Sequence, residues 1–413
     1  MNISLQKSVL FNQKLVINIT GSKSETNRLL LLQALFPEIQ LENKSHSDDS
    51  DVMEKALAIT QHQSPITKTI NIHHAGTAMR FLTAYFAIQE GVEVILTGSL
   101  RMKERPIHVL VEALKQLGAE ISYDEMQEYP PLRIKGKKLI KNKVSLHANV
   151  SSQYISALLL IAPKLENGLE LTLKGEITSK PYIEMTLALL NEIRVKTSFL
   201  GDKIVVQSTT YNLQPTTLKI ESDWSSASYF YSIIALSKIG TQLTLFSFKQ
   251  NSLQGDSILA EIYKDFGVET VFKEDRVELK KVSHSYKPIR LDLIQSPDIA
   301  QTIAVTCFGL GLGCRLEGLQ TLRIKETDRL EALKAELSKL GATVIISNNI
   351  LMIAPSTRII ENTMIKTYQD HRMAMAFAPL ALLTNITIEN AEVVSKSYPT
   401  FWEDLKQIGF QME

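Results

Sequence analysis

Apolar residues recur along this chain in two interleaved patterns. The first is a stripe at helical spacing that ends in glycine and gives way to a short β-branched run. In 105–121 (RPIHVLVEALKQLGAEI), Ile107, Leu110, Val111, Leu114 and Leu117 fall on one face, which predicts an amphipathic surface helix. Gly118 then predicts a C-cap and a turn into a strand. The pattern returns in 256–271 and 328–346, and more weakly in 180–197 and 398–412. The equivalent positions Gly118, Arg194, Gly267, Gly341 and Gly409 lie 68 to 76 residues apart.

The second pattern is apolar nearly all round: 25–36, 76–88, 151–163, 225–237, 297–310 and 370–383. Helices of this kind must be buried on every side. Each opens on small polar residues, and Ser24, Thr77, Ser151, Asp223, Asp298 and Asp370 are the expected N-caps. Six units of strand, buried helix and surface helix account for both series, with the first unit shortened. The expected fold class is α/β, with two similar domains of three units each. They are placed at 21–221, and at 1–20 with 222–413, the N-terminal strand returning to the second domain.

Composition narrows the function. A chain of 413 residues exceeds one ordinary core, in keeping with two domains. Lys+Arg is 45 against Asp+Glu 44, so the broad basic excess of a nucleic-acid binder is missing and any cationic site is local. The only cysteines, Cys307 and Cys314, lie in one apolar run. They read as packing thiols without a disulfide framework, which fits a reducing compartment. The opening MNISLQKSVLFNQK lacks the apolar core of a signal peptide, and apolar stretches such as 373–383 are too short to span a bilayer. A cytoplasmic protein with no nucleic-acid and no membrane partner is expected.

The unusual polar residues gather where the buried helices begin. A helix N-terminus presents N–H groups without intrahelical partners and a partial positive charge. Several such ends on one surface would suit phosphate and carboxylate groups. The side chains agree: Lys23, Ser24 and Arg28 in GSKSETNR; Gly76, Thr77 and Arg80 in AGTAMR; Arg101, Lys103 and Arg105 in RMKERP; Arg323, Lys325 and Arg329 in RIKETDR; His371 and Arg372 in DHRMAM; and Lys396 in VSKSYP. Any one of these alone reads as a solvated charge. Together they predict a ligand set with more than one anionic group, since Arg grips carboxylate or phosphate through paired hydrogen bonds. Asp298 and Glu326 stand among these cations, either as salt-bridge partners or as acid–base groups. No nucleotide-binding glycine loop, His-Glu-x-x-His or Cys-x-x-Cys occurs, so neither cofactor nor metal is indicated. His73 and His74 are expected on opposite faces of a strand, unsuited to sharing a metal.

From about Gly21 to Pro399 the chain resembles the 5-enolpyruvylshikimate-3-phosphate synthases of the enolpyruvyl transferase family. The motifs GSKSETNR, AGTAMR, RMKERP, VSSQ, SKPY, KETDR, DHRMAM and SKSYP occur in the family's order and spacing. The resemblance implies two domains of three βαβαββ units with buried parallel helices, an inside-out α/β barrel, and an active site in the interdomain cleft. It implies that Lys23, Ser24, Arg28, Ser151, Ser152, Gln153, Ser179, Tyr182, Asp298 and Lys325 meet shikimate 3-phosphate. Lys23, Gly76, Arg101, Gln153, Arg329, Arg372 and Lys396 would meet phosphoenolpyruvate. Asp298 would take the proton of the acceptor hydroxyl, and Glu326 with Lys325 would protonate the enol carbon. No cofactor or metal is implied, and the chain is expected to act as a monomer. The family is the target of glyphosate.

The sequence departs from the family at His74, where Asn is usual, at Phe81 and Thr20, where Pro is usual, at Thr321, where Asn is common, and in ESDWSSAS. None removes a principal charge. The rival readings are the sister enzyme acting on UDP-N-acetylglucosamine and a non-catalytic phosphometabolite-binding protein. Against the former, neither cysteine lies in the first half of the chain.

Overall fold

The computed structural model describes residues 1–11, 15–59, 67–148, 151–209 and 214–413. The chain forms two compact units, Ser22–Ile220 and Met1–Gly21 with Glu221–Glu413. It passes between them twice, and the repeat explains how each is built. In Ser22–Ile220, the strands Lys68–Asn71, Glu93–Thr97, Leu132–Lys135 and Glu120–Tyr123 lie side by side in that order, the first pair parallel and the rest antiparallel. The strands Lys143–His147, Leu169–Lys174, Lys203–Val206 and Thr197–Leu200 repeat this arrangement. So do Ile289–Asp292, Cys314–Glu317, Leu351–Ile353 and Val344–Ile346 in the other unit. In these three sheets a buried helix joins the parallel pair, as a parallel connection requires, and a surface helix leads to the edge strand named last.

The first repeat is short, with a two-stranded sheet among the described residues, and the repeats at the two crossings take strands from distant parts of the chain. Leu15–Ile17 runs parallel to Gln242–Phe246, and Thr216–Lys219 runs parallel to Ile39–Glu42. Each crossing carries the chain from a strand in one unit to a buried helix in the other. The two repeats thus exchange their first strands. The last sheet is likewise closed by the chain ends: Ile386–Ile388 pairs with Thr363–Ile365 on one side and with Ile3–Leu5 on the other, and Leu5 bridges Met412.

The buried helices are Lys23–Leu35, Gly76–Ala87 and Ser152–Ile161 in one unit, and Trp224–Leu236, Ala300–Gly309 and His371–Phe377 in the other. Every residue of Gly76–Ala87 is buried, as its all-round apolar sequence requires. The surface helix His108–Leu117 buries Leu110, Val111, Ala113, Leu114 and Leu117. Its cap Gly118 has φ +104°, and the equivalent Gly267, Gly341 and Gly409 are left-handed too. Arg194 adopts φ +66° at the same phase, a conformation that costs a non-glycine residue roughly 1–2 kcal/mol. The predicted helix at 256–271 is not continuous. Gly255–Ile258 and Tyr263–Phe266 are 3-10 turns flanking one α-turn, and the Tyr263 and Phe266 rings meet at a tilt of 52° with centroids 4.9 Å apart.

Candidate active site

Three of the six expected N-caps serve as such. The side chains of Ser151, Asp223 and Asp370 accept from the backbone N–H of Gln153, Ser226 and Arg372. The helices near Ser24, Thr77 and Asp298 begin instead at Ser22, Ala75 and Ser296. This places the three side chains inside the first turn, where they can turn away from the helix end. Thr77 Oγ1 accepts from Gln153 Nε2 at 3.0 Å, and Asp298 faces a group of cations.

That group lies in the unit Met1–Gly21 with Glu221–Glu413. Arg329, only 2% exposed, donates to Asp298 Oδ1 at 2.9 Å, Glu326 Oε2 at 2.8 Å and Asp370 Oδ2 at 2.7 Å. Lys325 Nζ lies 3.5 Å from Asp298 Oδ1, and Arg372 Nη2 lies 3.5 Å from Oδ2. Arg372 also donates to the Asp298 carbonyl at 3.1 Å and to Ser225 Oγ at 3.2 Å. Its side chain therefore ties together the starts of three buried helices. Burial alone would push the Asp298 carboxyl up, but Lys325, Arg372 and Arg329 reverse this and hold it well below the usual carboxylate range. Burial opposes the Arg329 charge, yet Asp370, Glu326 and Asp298 raise its pKa. Lys396 donates to the Gln369 carbonyl at 2.7 Å, beside Asp370.

The other unit gathers its polar groups with fewer charges. Lys23 Nζ lies 3.5 Å from Asp49 Oδ2, and His74 Nε2 lies 3.7 Å from Asp49 Oδ1. One carboxylate thus joins the starts of Lys23–Leu35 and Gly76–Ala87, while the Thr77–Gln153 bond joins the latter to Ser152–Ile161. His73 and His74 follow the strand Lys68–Asn71 rather than lying in it, and His73 turns the chain with φ +50°. Deeper in, Arg28 donates to Thr186 Oγ1 at 2.8 Å, Ser24 O at 2.7 Å, Ser156 Oγ at 2.9 Å and Tyr182 O at 3.3 Å. Its guanidinium also lies 5.4 Å from the Phe81 ring and 5.7 Å from the Tyr182 ring. Burial lowers its pKa to about 10, opposed by Tyr182 and Glu25.

Gly76 begins its helix with the Arg105 guanidinium 2.7 Å from where a Cβ would stand. Ser152 and Ser179 are buried, and Ser179 precedes Lys180–Glu192 in a left-handed turn. Arg101 lies on Leu100–Lys103 and pairs with Glu104 at 3.0 Å, half-exposed. Among the described residues no set of three His, Cys, Asp or Glu side chains could hold a metal, and no helix is long and apolar enough to cross a membrane. Cys307 and Cys314 are buried and free.

Sequence reasoning passed over Asp49, Ser225 and Asp256. Asp49 lies in an acidic run that reads as the first turn of a surface helix, and the partners of the other two are remote in sequence.

Solved structures define the class. An EPSP synthase from Acinetobacter baumannii superposes with TM-score 0.78 at 20% identity, covering 100% of this chain and 99% of that one. The enolpyruvyl transferase NikO from Streptomyces tendae gives 0.76 at 13%, covering 100% and 98%. The fold is that of the enolpyruvyl transferases. Curated relatives called 3-phosphoshikimate 1-carboxyvinyltransferase are 46% identical over 402 residues in Bacteroides fragilis, with 96% of each chain covered, and 36% identical over 419 residues in Histophilus somni, with 95% of this chain and 96% of the relative covered. The family profile described as EPSP synthase (3-phosphoshikimate 1-carboxyvinyltransferase) matches residues 12–405, and the chain belongs to that family.

Proposed function

We propose that this protein transfers the enolpyruvyl group of phosphoenolpyruvate to the 5-hydroxyl of shikimate 3-phosphate, releasing phosphate, as a cytoplasmic monomer of the shikimate pathway. Family membership supports the substrate pair. The observation that carries the chemistry is the Asp298 carboxylate, ionised and flanked by Lys325, Arg329 and Arg372, with Glu326 on the same arginine.

The reading gives shikimate 3-phosphate to Lys23, Ser24, Arg28, Ser151, Ser152, Gln153, Ser179, Tyr182, Asp298 and Lys325. Phosphoenolpyruvate goes to Lys23, Gly76, Arg101, Gln153, Arg329, Arg372 and Lys396. Glu326 with Lys325 delivers a proton to the methylene carbon, which leaves cationic character on the central carbon. The 5-hydroxyl oxygen bonds there as Asp298 takes its proton, giving a tetrahedral intermediate. A proton then leaves the new methyl group and the C–O bond to phosphate breaks, the electron pair going to the phosphate. Fixed Lys and Arg charges stabilise that leaving group.

A carboxylate held so far below its usual range is a weak base. Ligand phosphate and carboxylate groups would share Lys325 and Arg372 with Asp298, and that sharing raises its basicity as the substrates bind. The test is phosphate release from phosphoenolpyruvate with shikimate 3-phosphate, with UDP-N-acetylglucosamine and with no acceptor. Release is expected with shikimate 3-phosphate alone. Release that needs the nucleotide sugar, or none with any acceptor, rejects the proposal.

A further inference from the structure

Asp256 belongs to none of the residue sets assigned above, yet it reaches Arg372 through one hydroxyl. It lies on the short turn Gly255–Ile258, 3% exposed. Its Oδ2 accepts the Ser225 Oγ–H, and Ser225 Oγ accepts from Arg372 Nη2 at 3.2 Å. A hydroxyl has one proton. Given to Asp256, it leaves only lone pairs towards Arg372, so the carboxylate fixes Ser225 as an acceptor for the guanidinium. Asp256 Oδ1 has no hydrogen-bond partner, an arrangement too costly for a buried carboxyl to be idle packing.

The loop that presents Asp256 is clamped by a second buried carboxylate. Glu221 Oε1 accepts from Trp224 Nε1 and Lys249 N, both at 2.8 Å, and Oε2 accepts from Ser252 Oγ at 2.5 Å. Gln254 donates to the Ser222 carbonyl and accepts from Trp224 N, each at 2.9 Å. These bonds pin the loop to the residues around the start of Trp224–Leu236, the helix that carries Ser225.

We infer that Asp256 is a positioning residue for phosphoenolpyruvate: acting through Ser225, it holds the Arg372 guanidinium in its binding orientation. The inference rests on the proposed assignment of Arg372 to that substrate. The charged groups facing Asp256 are Asp298 and Asp223, which add to burial in raising its pKa, and Arg372, which with the Ser225 bond opposes them; the balance lies at about 6. Protonated, Asp256 gives its own O–H to Ser225. The hydroxyl proton must then turn elsewhere, and the fixed acceptor for Arg372 is lost.

The test compares wild-type protein with Asp256→Asn and Ser225→Ala in the phosphate-release assay from pH 5 to 8. Asp256→Asn should raise KM for phosphoenolpyruvate about tenfold at neutral pH, with KM for shikimate 3-phosphate changed less than about twofold and kcat nearly kept. The wild-type KM for phosphoenolpyruvate should rise as pH falls through about 6, and Asp256→Asn should lack that rise. The substrate's own ionisation affects both enzymes and cancels in their ratio. Adding Asp256→Asn to Ser225→Ala should have little further effect, because the path runs through the hydroxyl. Should Asp256→Asn fail to fold, Ser225→Ala alone must show the selective KM rise. Unchanged KM and pH profile, or equal loss for both substrates with a lowered melting temperature, overturns the inference alone. A wild-type protein without activity overturns the proposed function and this inference with it.

Discussion

Two arginines, one in each unit, are equally hidden and oppositely treated. Arg28 and Arg329 are each 2% exposed. Arg329 meets three carboxylates, Asp298, Glu326 and Asp370. The four hydrogen bonds of Arg28 all end on neutral oxygens of Ser24, Ser156, Tyr182 and Thr186. Burial accordingly lowers the pKa of Arg28 to about 10, whereas the carboxylates raise that of Arg329. A buried charge is stable only when matched. Arg329 is matched by the protein and organises the acids around it. Arg28 lacks a carboxylate in those bonds, and under the proposed function a ligand anion would supply one.

The largest effect should follow from breaking the matched side. Arg329→Met leaves Asp370, with no exposure, facing Asp298 and Glu326 without their common partner, and should cost about 3–5 kcal/mol in urea unfolding. A loss below about 1 kcal/mol would mean that the two arginines do not differ as described. Asp298→Asn keeps two of the three carboxylates on Arg329, so it should lower kcat about a hundredfold with little change in stability. If melting collapses and the surviving folded fraction turns over normally, Asp298 is structural.

Arg28→Met should be mild by comparison. Thr186 Oγ1 still donates to Tyr182 O at 2.8 Å and lies 2.9 Å from Ser156 Oγ, so only neutral groups lose a partner. A stability loss of about 1–2 kcal/mol is expected, and a loss as large as that of Arg329→Met would erase the contrast. Lys281 sharpens it with the smallest effect. This 1% exposed ammonium donates to a single carbonyl, that of Phe266 at 2.7 Å, and burial lowers its pKa from 10.5 to about 8. Between those values the unfolded chain binds more protons than the folded one, so stability rises with pH across that window. Lys281→Met should flatten the rise, by on the order of 1 kcal/mol, in melting measured from pH 7 to 10.

How far the sequence could be read follows from which interactions are local. The helices that are apolar all round were legible because burial on every side needs no partner to be named. Gly118, Gly267, Gly341 and Gly409 marked helix ends through backbone conformation alone, and only their phase pointed to Arg194. Caps were half legible. A polar residue one or two places inside a helix looks the same in sequence as one at its edge, which is why Ser24, Thr77 and Asp298 were misplaced while Ser151, Asp223 and Asp370 were not. The return of the N-terminal strand to the second unit was expected, but its partner was hidden, because Leu15–Ile17 and Gln242–Phe246 carry no mark of their pairing across more than two hundred residues. The same holds for the bonds from Asp256 and Asp49, whose partners are set by the fold.

The most direct measurement is calorimetric titration of shikimate 3-phosphate into wild-type protein and Arg28→Met. Loss of a charged hydrogen-bonding partner worth about 1.5–3 kcal/mol predicts binding weakened about ten- to a hundredfold in the variant, with the variant still folded at the titration temperature despite a melting temperature lowered by several degrees. Equal affinities in two folded proteins would contradict the assignment of Arg28 as the buried charge that the ligand neutralises.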